Sequence, residues 1–143
     1  MWIAMGALTW PWHKVLLYRA GWSWLIAAPL FAVGGTLYVL SFKSFTADQV
    51  LGRTELHPHK HEQRLVTTGI RRHIRHPIYL AHFCELLGWS VGTGMAILFA
   101  MTVFAAITGV FMLRAEDREL ESRFGDEFRQ YRDQVPMLFP RLR

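Results

Sequence analysis

The chain is short and almost free of cysteine. Its 143 residues include a single cysteine, Cys84, so no internal disulfide can form. The first residues lack the basic segment and the small-residue cleavage site of a signal peptide. A chain of this length has room for one hydrophobic core. We therefore expect a single domain, residues 1–143, without covalent cross-links.

Charge is absent from two long stretches of the chain. Residues 21–42 and 95–113 contain no charged side chain over 22 and 19 positions. A helix of that length spans about 30 Å, the hydrocarbon thickness of a bilayer. Residues 77–92 form a shorter apolar run with two ionisable side chains, and residues 1–12 are apolar and rich in tryptophan. The sequence predicts an all-α integral membrane helix bundle with three to four transmembrane helices.

The basic residues predict the topology. Residues 43–76 and 114–143 carry seven Lys and Arg each, whereas the apolar N-terminal part, residues 1–42, carries two. The positive-inside rule places both basic regions on the cytoplasmic side. Two crossings must then separate them, which a helical hairpin over 77–113 supplies, with Gly92-Thr93-Gly94 as its turn. The topology accounts for the basic residues, so we expect a multi-pass protein that binds the bilayer and no nucleic acid.

The C-terminal region predicts a different kind of helix. From Ala115 onward, apolar residues recur at spacings of four, four, three and four, as expected for one face of an amphipathic helix. They are Leu120, Phe124, Phe128, Tyr131 and Val135. Pro136 would end the helix. We expect a cytoplasmic helix that packs on the membrane surface or on the base of the bundle.

The segment LVTTGIRRHIRHPIY, residues 65–79, joins a dense cationic stretch to an apolar run. Basic residues beside a span are commonly topology determinants and contacts to lipid headgroups. Two acidic features favour a binding site instead. Glu85 lies within an apolar run, where an ionisable side chain is costly and usually functional. Glu116-Asp117 follows the last apolar run, so the two segments could hold a charged small molecule between them.

These residues resemble the isoprenylcysteine carboxyl methyltransferase and phospholipid methyltransferase superfamily. The likeness covers about residues 50–140: the 65–79 segment, then Glu116-Asp117, then FGDEFRQY and Pro136. Arg71 stands where the family usually has an aromatic residue, and Asp117 replaces a second glutamate. The resemblance implies a membrane methyltransferase that uses S-adenosylmethionine and releases S-adenosylhomocysteine. The preferred reaction is carboxyl O-methylation of a prenylated, isoprenylcysteine-like substrate, and the alternative is N-methylation of a phospholipid.

The resemblance also implies the site residues. Those expected to contact the cofactor are Gln63, Arg64, Leu65, Val66, Gly69, His76, Pro77, Ile78, Tyr79 and Glu116. Arg75 and Arg114 are expected to contact the substrate, although Arg114 is offset by two positions from the family's arginine. A carboxylate acceptor needs no general base, whereas an amine acceptor does. The candidates for catalytic groups are Glu116, Glu85, His82 and Arg114.

Other interpretations stay open or are disfavoured. Membrane sterol reductases share the C-terminal architecture and bind NADPH, but they are much longer. A non-catalytic relative that has lost its substrate side is a further alternative. His57, His59 and His61 alternate as in a zinc site, but no fourth ligand is evident and Pro58 favours a loop, so we expect no metal. The sequence around Gly92-Thr93-Gly94 lacks the βαβ unit of a dinucleotide-binding fold, so these glycines do not predict a nucleotide site. The oligomeric state is left open.

Overall fold

The computed structural model describes residues 10–12, 14–43 and 64–139, and these ranges contain helices and no strand. The α-helices are α1 Ser23–Phe42, α2 Pro77–Thr93, α3 Ala96–Phe124 and α4 Asp126–Gln134, with short 3-10 helices at Trp10–Trp12 and Gly69–Arg72. The all-helical prediction is confirmed for this part of the chain. Most of the predicted N-terminal segment, the histidines of HPHKH and Gln63 lie outside the described residues.

Two helices are long and apolar enough to cross a membrane. They are α1, with a mean hydropathy of 1.9, and α3, with 2.4 over its most apolar window. Only 22% and 11% of these windows are buried, whereas the core helix of a soluble protein is mostly buried. The apolar part of α3, residues 96–113, is the part that would lie in the bilayer. These helices correspond to two of the predicted spans, and the 17-residue α2 does not meet the same criterion.

The described chain divides into two compact units. Of the described residues, the first unit contains 10–12, 14–35 and 81–111, and the second contains 36–43, 64–80 and 112–139. In the first unit, Gly88 packs against Phe31, and the Ser90 and Thr102 hydroxyls lie 2.8 Å apart. These close contacts hold α2 beside its neighbours in that unit.

The turn between α2 and α3 is centred on Gly94. Its φ is +67°, and a Cβ at this position would lie 2.5 Å from the Tyr18 carbonyl oxygen, so only glycine fits. The Leu17 amide donates to the Gly94 carbonyl at 2.8 Å, and the Ala96 amide donates to the Val15 carbonyl at 3.0 Å. Of the predicted turn Gly92-Thr93-Gly94, Gly94 forms the break between the helices, whereas Gly92 and Thr93 are the last residues of α2.

The C-terminal region departs from the predicted single helix. Helix α3 runs without interruption from its apolar part to Phe124, and the break comes at Gly125, whose φ is +54°. A glycine in this conformation commonly ends a helix. The apolar stripe nevertheless faces inward in the second unit, since Phe128 and Val135 are buried. The prediction of one amphipathic helix from Ala115 is corrected to the end of α3 followed by the short α4.

Candidate functional site

The RHP segment, Arg75-His76-Pro77, leads into α2 in the second unit. Pro77 is the first residue of the helix, where a missing amide hydrogen costs nothing. The Arg75 amide donates to the Pro136 carbonyl at 3.0 Å, and the His76 amide donates to the Met137 carbonyl at 3.1 Å. Residues 135–137, which we call the C-terminal strap, therefore hold the backbone of the RHP segment.

The Arg75 guanidinium makes an ion pair and hydrogen bonds within the protein. Its Nη2 lies 2.8 Å from Oδ2 of Asp117. Its Nη1 donates to the carbonyls of Val135 at 2.7 Å and Arg132 at 2.9 Å. The residue is 7% exposed. These contacts tie the strap to α3 through Asp117, and the substrate contact expected of Arg75 stays a prediction.

Asp117 joins Arg75 to His76. Its Oδ1 lies 2.8 Å from Nε2 of His76. The two atoms are within hydrogen-bonding distance, and which of them donates depends on the tautomer of the imidazole. The other ring nitrogen, Nδ1, then lies 3.6 Å from Oε2 of Glu116. Asp117 thus fixes the orientation of the imidazole, a role that sequence reasoning missed although it had noted the acidic pair.

Glu116 is the accessible anion of the cluster. It lies on α3 beyond the apolar part, and its side chain is 38% exposed. Burial by itself would raise the pKa of the Glu116 carboxyl. The neighbouring His76, Tyr79 and Arg71 outweigh burial and lower this pKa below its usual value. The carboxylate is therefore ionised at neutral pH and can accept hydrogen bonds from a ligand.

Arg71 lies beside this anion, at the position where the family usually has an aromatic residue. Its Nη1 donates to the Arg75 carbonyl at 3.1 Å, and Tyr131 donates its hydroxyl hydrogen to the Arg71 carbonyl at 2.6 Å. Burial lowers the pKa of the Arg71 guanidinium, while the nearby Tyr131 and Glu116 raise it. Arg71 thus adds positive charge near Glu116 and anchors α4 through Tyr131.

The remaining residues expected at the cofactor site lie in varied environments. Pro77 and Leu65 are buried, Val66 and Ile78 are half-buried, and Arg64 is exposed. Gly69 has a φ of +62° and lines an open cavity of about 380 Å³. The structure therefore brings His76, Tyr79 and Glu116 together, and Arg75 is linked to them through Asp117. Gly69 lines the cavity instead.

The other candidates for catalytic groups lie elsewhere on the helices. Arg114 is exposed on α3, just after its apolar part. In the first unit, Glu85 packs against α1, since a Cβ at Gly34 would lie 2.8 Å from Oε1 of Glu85. His82 is exposed on α2. Neither Glu85 nor His82 makes any of the contacts described for the cluster around Glu116.

Comparisons with known proteins point to one family. The model of the phospholipid methyltransferase family matches residues 22–127. Methanethiol S-methyltransferase of Crocosphaera subtropica is 26% identical over 96% of this chain and 57% of its own length. Methanethiol S-methyltransferase 1 of Bradyrhizobium diazoefficiens is 36% identical over 54% of this chain and 26% of its own. Protein-S-isoprenylcysteine O-methyltransferase of Schizosaccharomyces pombe is 35% identical over 53% of this chain and 33% of its own.

The chain thus spans about half the length, or less, of these curated relatives. No solved structure matches it. The match to the family nevertheless covers most of the chain and includes the RHP segment, Glu116 and Asp117. The resemblance stated from the motif is therefore confirmed, and the chain belongs to the phospholipid methyltransferase family.

Proposed function

We propose that this protein is a methyltransferase that takes the methyl group of S-adenosylmethionine and transfers it to a lipophilic acceptor. The observation that carries the proposal is the cluster of His76, Tyr79 and Glu116. Asp117 contacts His76 in this cluster, and Arg75 in turn pairs with Asp117. Such an arrangement combines an accessible anion, an imidazole and a phenol at the end of an apolar helix. The membership of this chain in a methyltransferase family supports the same reaction.

The cluster suits the polar groups of the methyl donor. S-Adenosylmethionine supplies a methyl group activated by a sulfonium cation, together with an amino-acid end and an adenosine. The Glu116 carboxylate is placed to accept charge-assisted hydrogen bonds from the donor's ammonium group or ribose hydroxyls. Tyr79 offers an aromatic face for its apolar parts. These residues would bind and orient the donor.

Catalysis would then depend on positioning. Methyl transfer is a single displacement, for which correct alignment and exclusion of water can supply roughly 7–11 kcal/mol of the barrier reduction. The contact between Nε2 of His76 and Oδ1 of Asp117 holds the imidazole in place before a ligand arrives. The role we assign to Arg75, Asp117 and the C-terminal strap is to keep this geometry.

The first acceptor to consider is the carboxyl group of an isoprenylcysteine-like molecule, as the sequence motif predicts. Its carboxylate is already a nucleophile and needs no base. Arg114, exposed at the end of the apolar part of α3, would hold it.

A second acceptor, a small thiol, is favoured by one specific observation. The likeness to a methanethiol S-methyltransferase extends over 96% of this chain, further than the likeness to the isoprenylcysteine enzyme. A thiol must lose its proton to react, so this acceptor requires a base that a carboxyl acceptor does not.

A product assay distinguishes these acceptors. The detergent-purified full chain is incubated with methyl-labelled S-adenosylmethionine and one of three acceptors: N-acetyl-S-farnesylcysteine, methanethiol or phosphatidylethanolamine. We expect a base-labile methyl ester from the first. Formation of dimethyl sulfide or of an N-methylated lipid instead would replace the carboxyl acceptor. Failure to label any acceptor, with donor binding intact, would contradict a methyltransferase acting on these classes.

The same assay tests Arg114. The Arg114→Gln variant is expected to raise KM for the carboxyl acceptor about tenfold, since one charge-assisted hydrogen bond is lost. The same variant should change KM for a thiol acceptor only slightly. Arg118→Gln, a nearby exposed arginine on the same helix, is the matched control. An equal effect of both variants would remove Arg114 from the acceptor site.

A further inference from the structure

Arg71 brings a cation to the cluster around Glu116, within the second unit. The residue lies on the 3-10 helix Gly69–Arg72 and is half-buried. Its Nη1 donates to the Arg75 carbonyl at 3.1 Å. The residue after Arg75 is His76, whose Nδ1 lies 3.6 Å from Oε2 of Glu116. The backbone of the RHP segment therefore holds the Arg71 guanidinium beside the accessible anion of the cluster.

The two side chains carry opposite charges that stabilise each other. Burial lowers the pKa of the Arg71 guanidinium and raises that of the Glu116 carboxyl. Each group also favours the charged form of the other. Because a guanidinium stays protonated in proteins, Arg71 is a cation at neutral pH. A ligand at this cluster therefore meets a positive and a negative group side by side.

Neighbouring opposite charges match a zwitterion. The amino-acid end of S-adenosylmethionine carries an ammonium group and a carboxylate on the same carbon atom. When Glu116 accepts hydrogen bonds from the ammonium group, the carboxylate next to it needs a cationic partner. A guanidinium is suited to this role, because its five N–H groups form a planar fork that fits a carboxylate and can serve several acceptors at once.

Arg75, the other arginine at this site, is less suited to the donor's carboxylate. Arg75 is 7% exposed, and its Nη2 lies 2.8 Å from Oδ2 of Asp117. This ion pair already compensates its charge. Arg71 is more accessible, since it is half-buried, and the acceptor of its Nη1 hydrogen bond is a neutral carbonyl. The geometry thus favours Arg71 as the cation that meets a ligand.

We propose that Arg71 binds the carboxylate of the methyl donor while Glu116 binds its ammonium group. This role rests on the proposed function, because it deepens the same donor site. Arg71 stands where the family usually has an aromatic residue, which cannot form an ion pair. The substitution therefore makes Arg71 a specificity-determining residue that selects a donor with an intact amino-acid end.

The test is calorimetric titration of two ligands into the detergent-purified full chain. S-Adenosylhomocysteine is compared with decarboxylated S-adenosylhomocysteine, which keeps the ammonium group and the adenosine. We expect the wild type to bind the decarboxylated ligand about tenfold more weakly, since one charge-assisted contact is lost. Arg71→Gln should bind S-adenosylhomocysteine about tenfold more weakly than the wild type does, and the decarboxylated ligand equally well.

Arg72→Gln is the matched control. Arg72 is the next residue of the same 3-10 helix and is exposed, so the variant removes an equal charge from the same segment. It should bind both ligands as the wild type does. A loss in Arg72→Gln as large as that in Arg71→Gln would contradict a specific contact at Arg71.

The remaining outcomes separate this role from the proposed function. Absence of binding of both ligands by the folded wild type would overturn the donor site and the role of Arg71 together. Equal wild-type affinity for the two ligands would overturn the role of Arg71 alone, and this comparison needs no variant to fold. Equal weakening of both ligands in Arg71→Gln would make Arg71 a positioning residue without a carboxylate contact. Unchanged donor binding in Arg71→Gln with a raised KM for a carboxyl acceptor would assign Arg71 to the acceptor instead.

Discussion

Replacing Asp117 with alanine is expected to lower the free energy of unfolding by about 3–5 kcal/mol, because it leaves the buried Arg75 guanidinium without its anionic partner. Arg75 and Asp117 are 7% and 11% exposed in their side chains. The same substitution releases Nε2 of His76. We therefore expect the loss of stability to be accompanied by a loss of affinity for S-adenosylhomocysteine.

Unfolding of the detergent-solubilised protein by sodium dodecyl sulfate measures the first effect. Asp126→Ala is the matched control, because Asp126 also pairs with an arginine but does so at the surface, where a salt bridge contributes little. Asp117→Asn keeps the shape of the side chain and removes its charge, so its loss of stability should lie between those of Asp117→Ala and Asp126→Ala. If Asp117→Ala were as mild as Asp126→Ala, the buried pair would not hold the site together.

Ending the chain after Gln134 is expected to produce the second large effect. It removes the C-terminal strap, whose three carbonyl groups accept hydrogen bonds from the Arg75 amide, the His76 amide and the Arg75 guanidinium. Two neutral hydrogen bonds and one charge-assisted bond together are worth about 2.5–6 kcal/mol. The RHP segment would lose its backbone anchor, so we expect affinity for S-adenosylhomocysteine to fall more than tenfold.

A shorter truncation is the control for this experiment. A chain that ends after Phe139 keeps all three carbonyl groups of the strap. It should unfold and bind the product as the full chain does. Comparable losses in both truncated chains would mean that the effect comes from chain length or from residues 140–143. Wild-type binding by the chain ending at Gln134 would show that the strap does not position the RHP segment.

The sequence was informative where a single local rule dominates. A helix in a bilayer must be apolar along its length, so the uncharged stretch 21–42 identified α1, Ser23–Phe42, to within two residues. The turn at Gly94 followed from the special backbone angles of glycine. The RHP segment and Glu116 were found through a motif, and the structure brings His76, Tyr79 and Glu116 into one cluster.

The parts that were not predicted depend on tertiary contacts. Arg75 and Asp117 are 42 residues apart, and no local pattern shows that they pair or that Arg75 is buried. The strap could not be anticipated either, because its contacts are made by backbone carbonyls, which every residue has. The break at Gly125 escaped notice because the apolar stripe continues across it with unchanged spacing.

The most direct test of the central claim is a calorimetric titration of S-adenosylhomocysteine into the detergent-purified protein. We expect the wild type to bind, and Glu116→Gln to bind at least tenfold more weakly because its side chain is no longer an anion. Glu119→Gln, an exposed carboxylate one turn further along α3, should bind as the wild type does. Absence of binding by the folded wild type, or unchanged affinity in Glu116→Gln, would contradict a methyl-donor site at this cluster.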